Sequence, residues 1–246
     1  MAQNDVIKEI VFIADEGYEA PGYAWATALA SLLVLALAEV LTIFVSQMAG
    51  MIVYGLILIA LLVQYALGLP KRGNNVLVVL SIIPLIRLLA MTIPPVSFDP
   101  VYWYLLVAAL LGVLVFISAR LAGMCSCSMG LQVAKKELPA QLLIGMTGVT
   151  IGLVEYLILR PEPVLPGFGS GILFLASMIF LFFAGLLQEV IFRGLLQISS
   201  VQIMDRFGIV YVAVIFTLQS LVFRSLWNTL FVFLVGLGFG IIVART

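Results

Sequence analysis

The sequence predicts an all-α integral membrane protein of about eight transmembrane helices, and three observations carry that prediction. Of its 246 residues, 64% are hydrophobic and 10% are charged, against about 45–50% and about 25% in a soluble domain. Mean hydropathy is +1.25, so water would leave this much apolar surface nowhere to go. The apolar residues also come in continuous runs of roughly 20, the length a helix needs to cross the hydrocarbon. A closed barrel would alternate instead.

Residues 1–21 stand apart. They hold Asp5, Glu9, Asp15, Glu16 and Glu19 against one Lys8, so they lack the basic start of a signal peptide. Val6, Ile7, Ile10, Ile13 and Ala14 share a helical face, which suits an interfacial amphipathic helix. Anionic lipid would repel its acidic face, which suggests contact with another protein. A solvated cap packed on the chain's own loops fits equally well.

Residues 22–246 read as one polytopic domain. The runs lie near 22–46, 50–69, 76–96, 101–123, 138–159, 170–197, 207–223 and 227–244. Polar or rigid residues separate them: Lys71-Arg72-Gly73-Asn74-Asn75, Pro94-Pro95, Asp99-Pro100, and Pro161-Glu162-Pro163 with Pro166-Gly167. With eight spans, Lys8, Lys71, Arg72, Arg120, Lys135, Lys136, Arg206 and Arg245 share the side of both termini, and the other side holds Arg160 and Arg224. This bias predicts a multi-pass protein of the plasma or inner membrane with both termini cytoplasmic.

Composition also excludes functions. There is no histidine, which removes histidine-ligated metals and haem, Ser-His triads and Cys-His pairs. Cys125-x-Cys127 falls in a reducing compartment and reads as two thiols, so no metal site is predicted. A formal net charge of zero gives no electrostatic basis for nucleic-acid binding.

Five charges fall inside the spans: Glu39, Arg87, Glu155, Glu189 and Arg193. Each costs at least about 2.5–3.5 kcal/mol to insert, so each needs a partner or a task. Glu189 and Arg193 are spaced to pair on one helix face; Arg87 can reach either Glu39 or Glu155 across the bundle. Transport through Glu39, Arg87 and Glu155 would call for inverted repeats, and Pro84 in the third span has no counterpart. Gly236-x-Gly238-x-Gly240 lies inside an apolar span and is no phosphate loop; Gly236 and Gly240 are spaced for close helix packing.

The segment Gln188-Glu189-Val190-Ile191-Phe192-Arg193-Gly194 resembles the Glu-Glu-x-x-x-Arg signature of the CAAX protease and bacteriocin-processing (CPBP, or Abi) family. Residues 152–161 and 231–246 are similar to the stretches that flank the family's motifs, so the likeness covers about 138–246. It implies a CPBP-like bundle and an intramembrane endopeptidase in which the first Glu activates water with help from histidines. At the matching positions this chain has Gln188 for that Glu, and Phe216-Thr217-Leu218-Gln219-Ser220 for Phe-x-x-x-His. The third, His-containing motif would fall on a helix beyond Thr246. An amide cannot take a proton from water, and Glu189, paired with Arg193, is a poor substitute base.

The resemblance therefore implies a pseudoenzyme that keeps Glu189–Arg193 as a structural clasp, with Gln188 and Ser220 hydrogen-bonding to it. The expected role is a subunit, scaffold or assembly factor of a larger membrane complex, with membrane lipids and other integral membrane subunits as partners. The alternative is a residual glutamic-type endopeptidase acting on hydrophobic or prenylated peptides. No cofactor is predicted; a bound lipid or pigment held through amides, carbonyls or water is compatible with the composition.

Overall fold

The computed structural model describes residues 22–68, 74–92, 100–124, 138–160 and 185–245. The acidic segment 1–21, the Cys125-x-Cys127 pair and residues 170–184 of the sixth run lie outside them. Among the described residues all regular structure is helical, so the chain is an all-α membrane protein. Four helices are long and apolar enough to cross a membrane: Trp25–Phe44, Gln47–Ala66, Asn75–Thr92 and Leu226–Arg245. Shorter apolar helices cover Leu105–Leu121, Gly145–Leu159 and Phe207–Phe223.

Helices α1 (Gly22–Phe44) and α2 (Gln47–Ala66) form a hairpin. The Leu41 carbonyl accepts from both Val45 N and Ser46 N at 3.0 Å, and the Ser46 hydroxyl caps α2 by accepting from Ala49 N at 3.1 Å. A Cβ on Gly50 would lie 2.8 Å from Thr42 Cβ. Glycine is what lets the two helices meet this closely.

The third run is broken. It forms α3 (Asn74–Leu80) and α4 (Ile82–Thr92) with a turn at Ser81 between them. Pro84 supplies the cause: its ring has no N–H for the Leu80 carbonyl and crowds it. The Ser81 hydroxyl donates to Val78 O at 2.6 Å and so keeps the break internally bonded. This run is half buried, against 22–28% for the other three long helices, because α3 packs on α2, on Pro100–Leu121, on Val190–Gln197 and on Ile198–Met204.

Helix α5 (Pro100–Leu121) stops where Gly123, at φ 68°, turns the backbone into the left-handed region. Met124 N then donates to Ala119 O at 2.9 Å and Gly123 N to Arg120 O at 3.1 Å, the paired bonds of a Schellman end. Helix α6 (Leu138–Leu159) lies against Leu226–Arg245.

The sixth run ends later than residue 197. It contains α7 (Leu186–Glu189), an eight-residue π-helix (Val190–Gln197) and α8 (Ile198–Met204). Every residue of the π-helix is buried. Helix α9 (Phe207–Ser220), a 3₁₀ turn (Leu221–Phe223) and α10 (Leu226–Arg245) complete the chain as an antiparallel hairpin. A Cβ on Gly208 would lie 2.7 Å from the Ser200 carbonyl carbon, so α8 and α9 touch backbone to backbone.

Candidate functional site

Two charged centres form among the spans, on different elements. In the first, Arg87 Nε of α4 donates to Glu39 Oε1 of α1 in an ion pair whose side chains are 13% and 3% exposed. Of the two carboxylates within reach by sequence, Arg87 takes Glu39, while Glu155 on α6 pairs with no described residue. Arg87 Nη2 also donates to the Gln219 carbonyl at 2.8 Å. That carbonyl belongs to the last turn of α9, where the helix has no N–H left to offer it. The buried Tyr54 phenol of α2 borders the pair. One guanidinium therefore holds α1, α4 and α9 together.

The second centre is looser. Arg193 in the π-helix lies 3.7 Å from Glu189 at Nε to Oε2, with side chains 5% and 52% exposed. That distance is an ion pair without a hydrogen bond. Among the described residues no acceptor meets Arg193 Nε or Nη1. The guanidinium carbon lies 5.7 Å from the centroid of the Phe216 ring, a cation–π distance. Phe216 in turn stacks edge-on against Phe192, with centroids 5.0 Å apart.

The two substituted motif positions do not join this pair. The Ser220 hydroxyl donates to Thr217 O at 2.8 Å, inside its own helix. Gln188 is exposed, and no described hydrogen bond links it to Glu189 or Arg193. The expected clasp of Gln188 and Ser220 around the pair is thus replaced by Phe216 beneath the guanidinium. A serine near a helix end bonds its own backbone more cheaply than it reaches across a bundle.

Gly236 and Gly240 both face inward. A Cβ on Gly236 would lie 3.2 Å from Phe216 Cδ1, and one on Gly240 would lie 2.7 Å from Ile209 Cγ2 and 3.2 Å from Gln197 Oε1. Their contacts are with α9 and the π-helix of the same chain. Gln197, absent from the sequence expectations, donates through Nε2 to the Gly240 carbonyl at 2.8 Å. Its signal was its spacing, one turn after Arg193 inside an apolar run. Asn228, Ser199 and Ser200 are also at most 1% exposed, and composition alone does not reveal them.

This arrangement offers one half-exposed carboxylate, an underbonded guanidinium and several neutral polar groups. Residues 170–246 match the family model Rce1-like, described as type II CAAX prenyl endopeptidase Rce1-like. The match bears out the CPBP resemblance over that segment and begins downstream of residue 138, where the motif resemblance starts. Comparison with curated proteins found no match, and comparison with solved structures found none.

Proposed function

We propose that this chain, similar to CAAX prenyl endopeptidases over its last third, is a non-catalytic member of that lineage that serves as a subunit, scaffold or assembly factor in a membrane complex. The observation that carries the reading is the pair of substitutions at Gln188 and Ser220. The family's water-activating position holds an amide, and the histidine position holds a hydroxyl already committed to Thr217 O. Losing one general base typically costs about 10²–10⁴-fold in rate, and here both positions are changed. The contacts of Arg193 with Phe216 and of Arg87 with Gln219 O tie helices together. In the same reading the arginine and lysine bias puts both termini on the cytoplasmic side of the cell membrane.

The second reading, a residual endopeptidase, rests on Glu189: it is half exposed and has no hydrogen bond to Arg193. One experiment separates the two. The purified chain and its Glu189→Gln variant are given a prenylated peptide and a hydrophobic peptide in mild detergent. The scaffold reading expects equal, background turnover from both proteins. Cleavage that disappears in Glu189→Gln overturns it. Purification from native membranes then tests the positive half: stoichiometric membrane partners are expected, and a lone monomer counts against a complex.

A further inference from the structure

We propose that the α1–α2 turn and the α9–α10 turn together form one apolar end-face that lies in the acyl region of the bilayer, below the phosphates, instead of in water. Phe44, Val45 and Met48 on one turn are 77%, 67% and 71% exposed, and Phe223, Leu226 and Trp227 on the other are 55%, 86% and 77% exposed. Hairpin turns in water are normally built from polar residues, glycine and proline. Large apolar side chains presented in this number point to a non-aqueous neighbour.

The backbone supplies a separate line of support. In hydrocarbon, each unmet backbone group costs several kcal/mol, so an immersed turn has to satisfy itself. These two do. Val45 N and Ser46 N donate to Leu41 O, Ala49 N to the Ser46 hydroxyl, and Gly50 N to Ser46 O. Arg224 N donates to Leu221 O, Asn228 N to the Ser225 hydroxyl at 3.3 Å, and Thr229 N to Ser225 O. The one charge in the two turns, Arg224, folds back across the gap and donates through Nη2 to the Ile43 carbonyl at 2.7 Å. Its left-handed backbone, φ 52°, makes that reversal. A turn facing water would have no need to hold its arginine this way.

Length agrees. The Phe207–Phe223 run is about 27 Å long, from α-helical and 3₁₀ rises. The hydrocarbon core is about 30 Å thick. At its start, exposed Asp205 and Arg206 keep that end in water, so the shortfall of this run falls at its Phe223 end. The 20-residue helices Trp25–Phe44, Gln47–Ala66 and Leu226–Arg245, each long enough to span the core, also meet there. Pulling the turn inward or thinning the bilayer over it both bring these side chains among acyl chains.

Native Trp227 is the probe. The full chain and its Trp227→Phe variant are reconstituted in phosphatidylcholine vesicles, with chains brominated near the headgroup or with iodide in the aqueous phase. The emission lost between the two proteins belongs to Trp227. The expected result is that bromolipid removes most of that emission and iodide leaves it intact. Quenching by iodide but not by bromolipid places the turn in water and overturns the proposal. Protection from both quenchers means that protein covers the face, which also overturns it. A single-tryptophan chain carrying Trp25→Phe and Trp103→Phe repeats the measurement without subtraction.

Discussion

Glu39→Leu should be one of the most damaging single changes in the N-terminal helices, and combining it with Arg87→Met should undo much of the damage. Glu39 is 3% exposed and Arg87 13% exposed, so neither charge can turn to water when its partner is lost. Breaking a buried pair from one side costs about 3–5 kcal/mol, because the remaining ion is left uncompensated. Arg87→Met carries a similar penalty, and it also strips the charged donor from Gln219 O. If the two changes were independent, the double variant would lose about 6–10 kcal/mol. With both charges gone the apolar replacement is close to neutral, and only the lost bond to Gln219 O remains, about 1.5–3 kcal/mol for a charged donor. The double variant is therefore expected to be no worse than either single one, with a coupling of at least about 3 kcal/mol. Unfolding in mixed micelles at rising detergent mole fraction measures all four proteins. Additive losses in the double variant would refute the assignment of Arg87 to Glu39.

Four further outcomes follow from the same contacts. Arg193→Met should cost less than Arg87→Met in that unfolding assay, since Arg193 has no hydrogen bond to its carboxylate and half-exposed Glu189 can be solvated without it; a larger loss would show the second centre to be the tighter one. Gly240→Ala should destabilise by about 1–3 kcal/mol through overpacking, because its Cβ meets Ile209 at 2.7 Å, whereas Gly238→Ala on the same helix meets nothing within 4 Å; equal melting shifts would refute the close crossing. Ser220→Ala should cost no more than about 0.5–1.5 kcal/mol, the net worth of one hydrogen bond, because its hydroxyl bonds only inside its own helix, and a larger drop would mean that Ser220 bridges helices after all. Arg224→Met should lose about 1.5–3 kcal/mol for its bond to the Ile43 carbonyl, read as a lower midpoint, while Arg224→Lys should recover part of it.

The sequence carried the helices further than it carried their pairing. Lys71 to Asn75, Pro94-Pro95 and Pro161 to Pro163 punctuate the apolar runs, and the helix ends fall beside them. The break at Ser81 needed only Pro84 to explain it, yet Pro84 by itself does not say whether a helix kinks or stops. The π-helix from Val190 to Gln197 left no mark at all, since its residues would serve an α-helix as well. Partner choice was the least legible. In water, the apolar stripe of a helix tells which side faces the core. In a bilayer the lipid is as apolar as the interior, so Ala38 and Leu37 look alike although one is buried and the other exposed. Only polar groups and glycines mark the inward side, which is why Glu189–Arg193, four residues apart, was readable and Glu39–Arg87, 48 apart, stayed open between two carboxylates.

The bond from Arg87 to Gln219 O joins residues 132 apart in the chain, and that separation has a meaning in time. At about 5–20 residues per second, α9 leaves the ribosome roughly 7–26 s after Arg87 does. Throughout that interval the first three spans must hold an arginine in the bilayer, with Glu39 and Tyr54 as its polar company among their described residues. Glu39 precedes Arg87 in synthesis, so the negative charge is already waiting when the positive one is inserted. The ion pair thus works first as a passport for the third span, and only later, once α9 arrives, as the anchor for its last turn. Chains arrested before residue 219 should keep Arg87 in the membrane when Glu39 is present and release the third span when it is not.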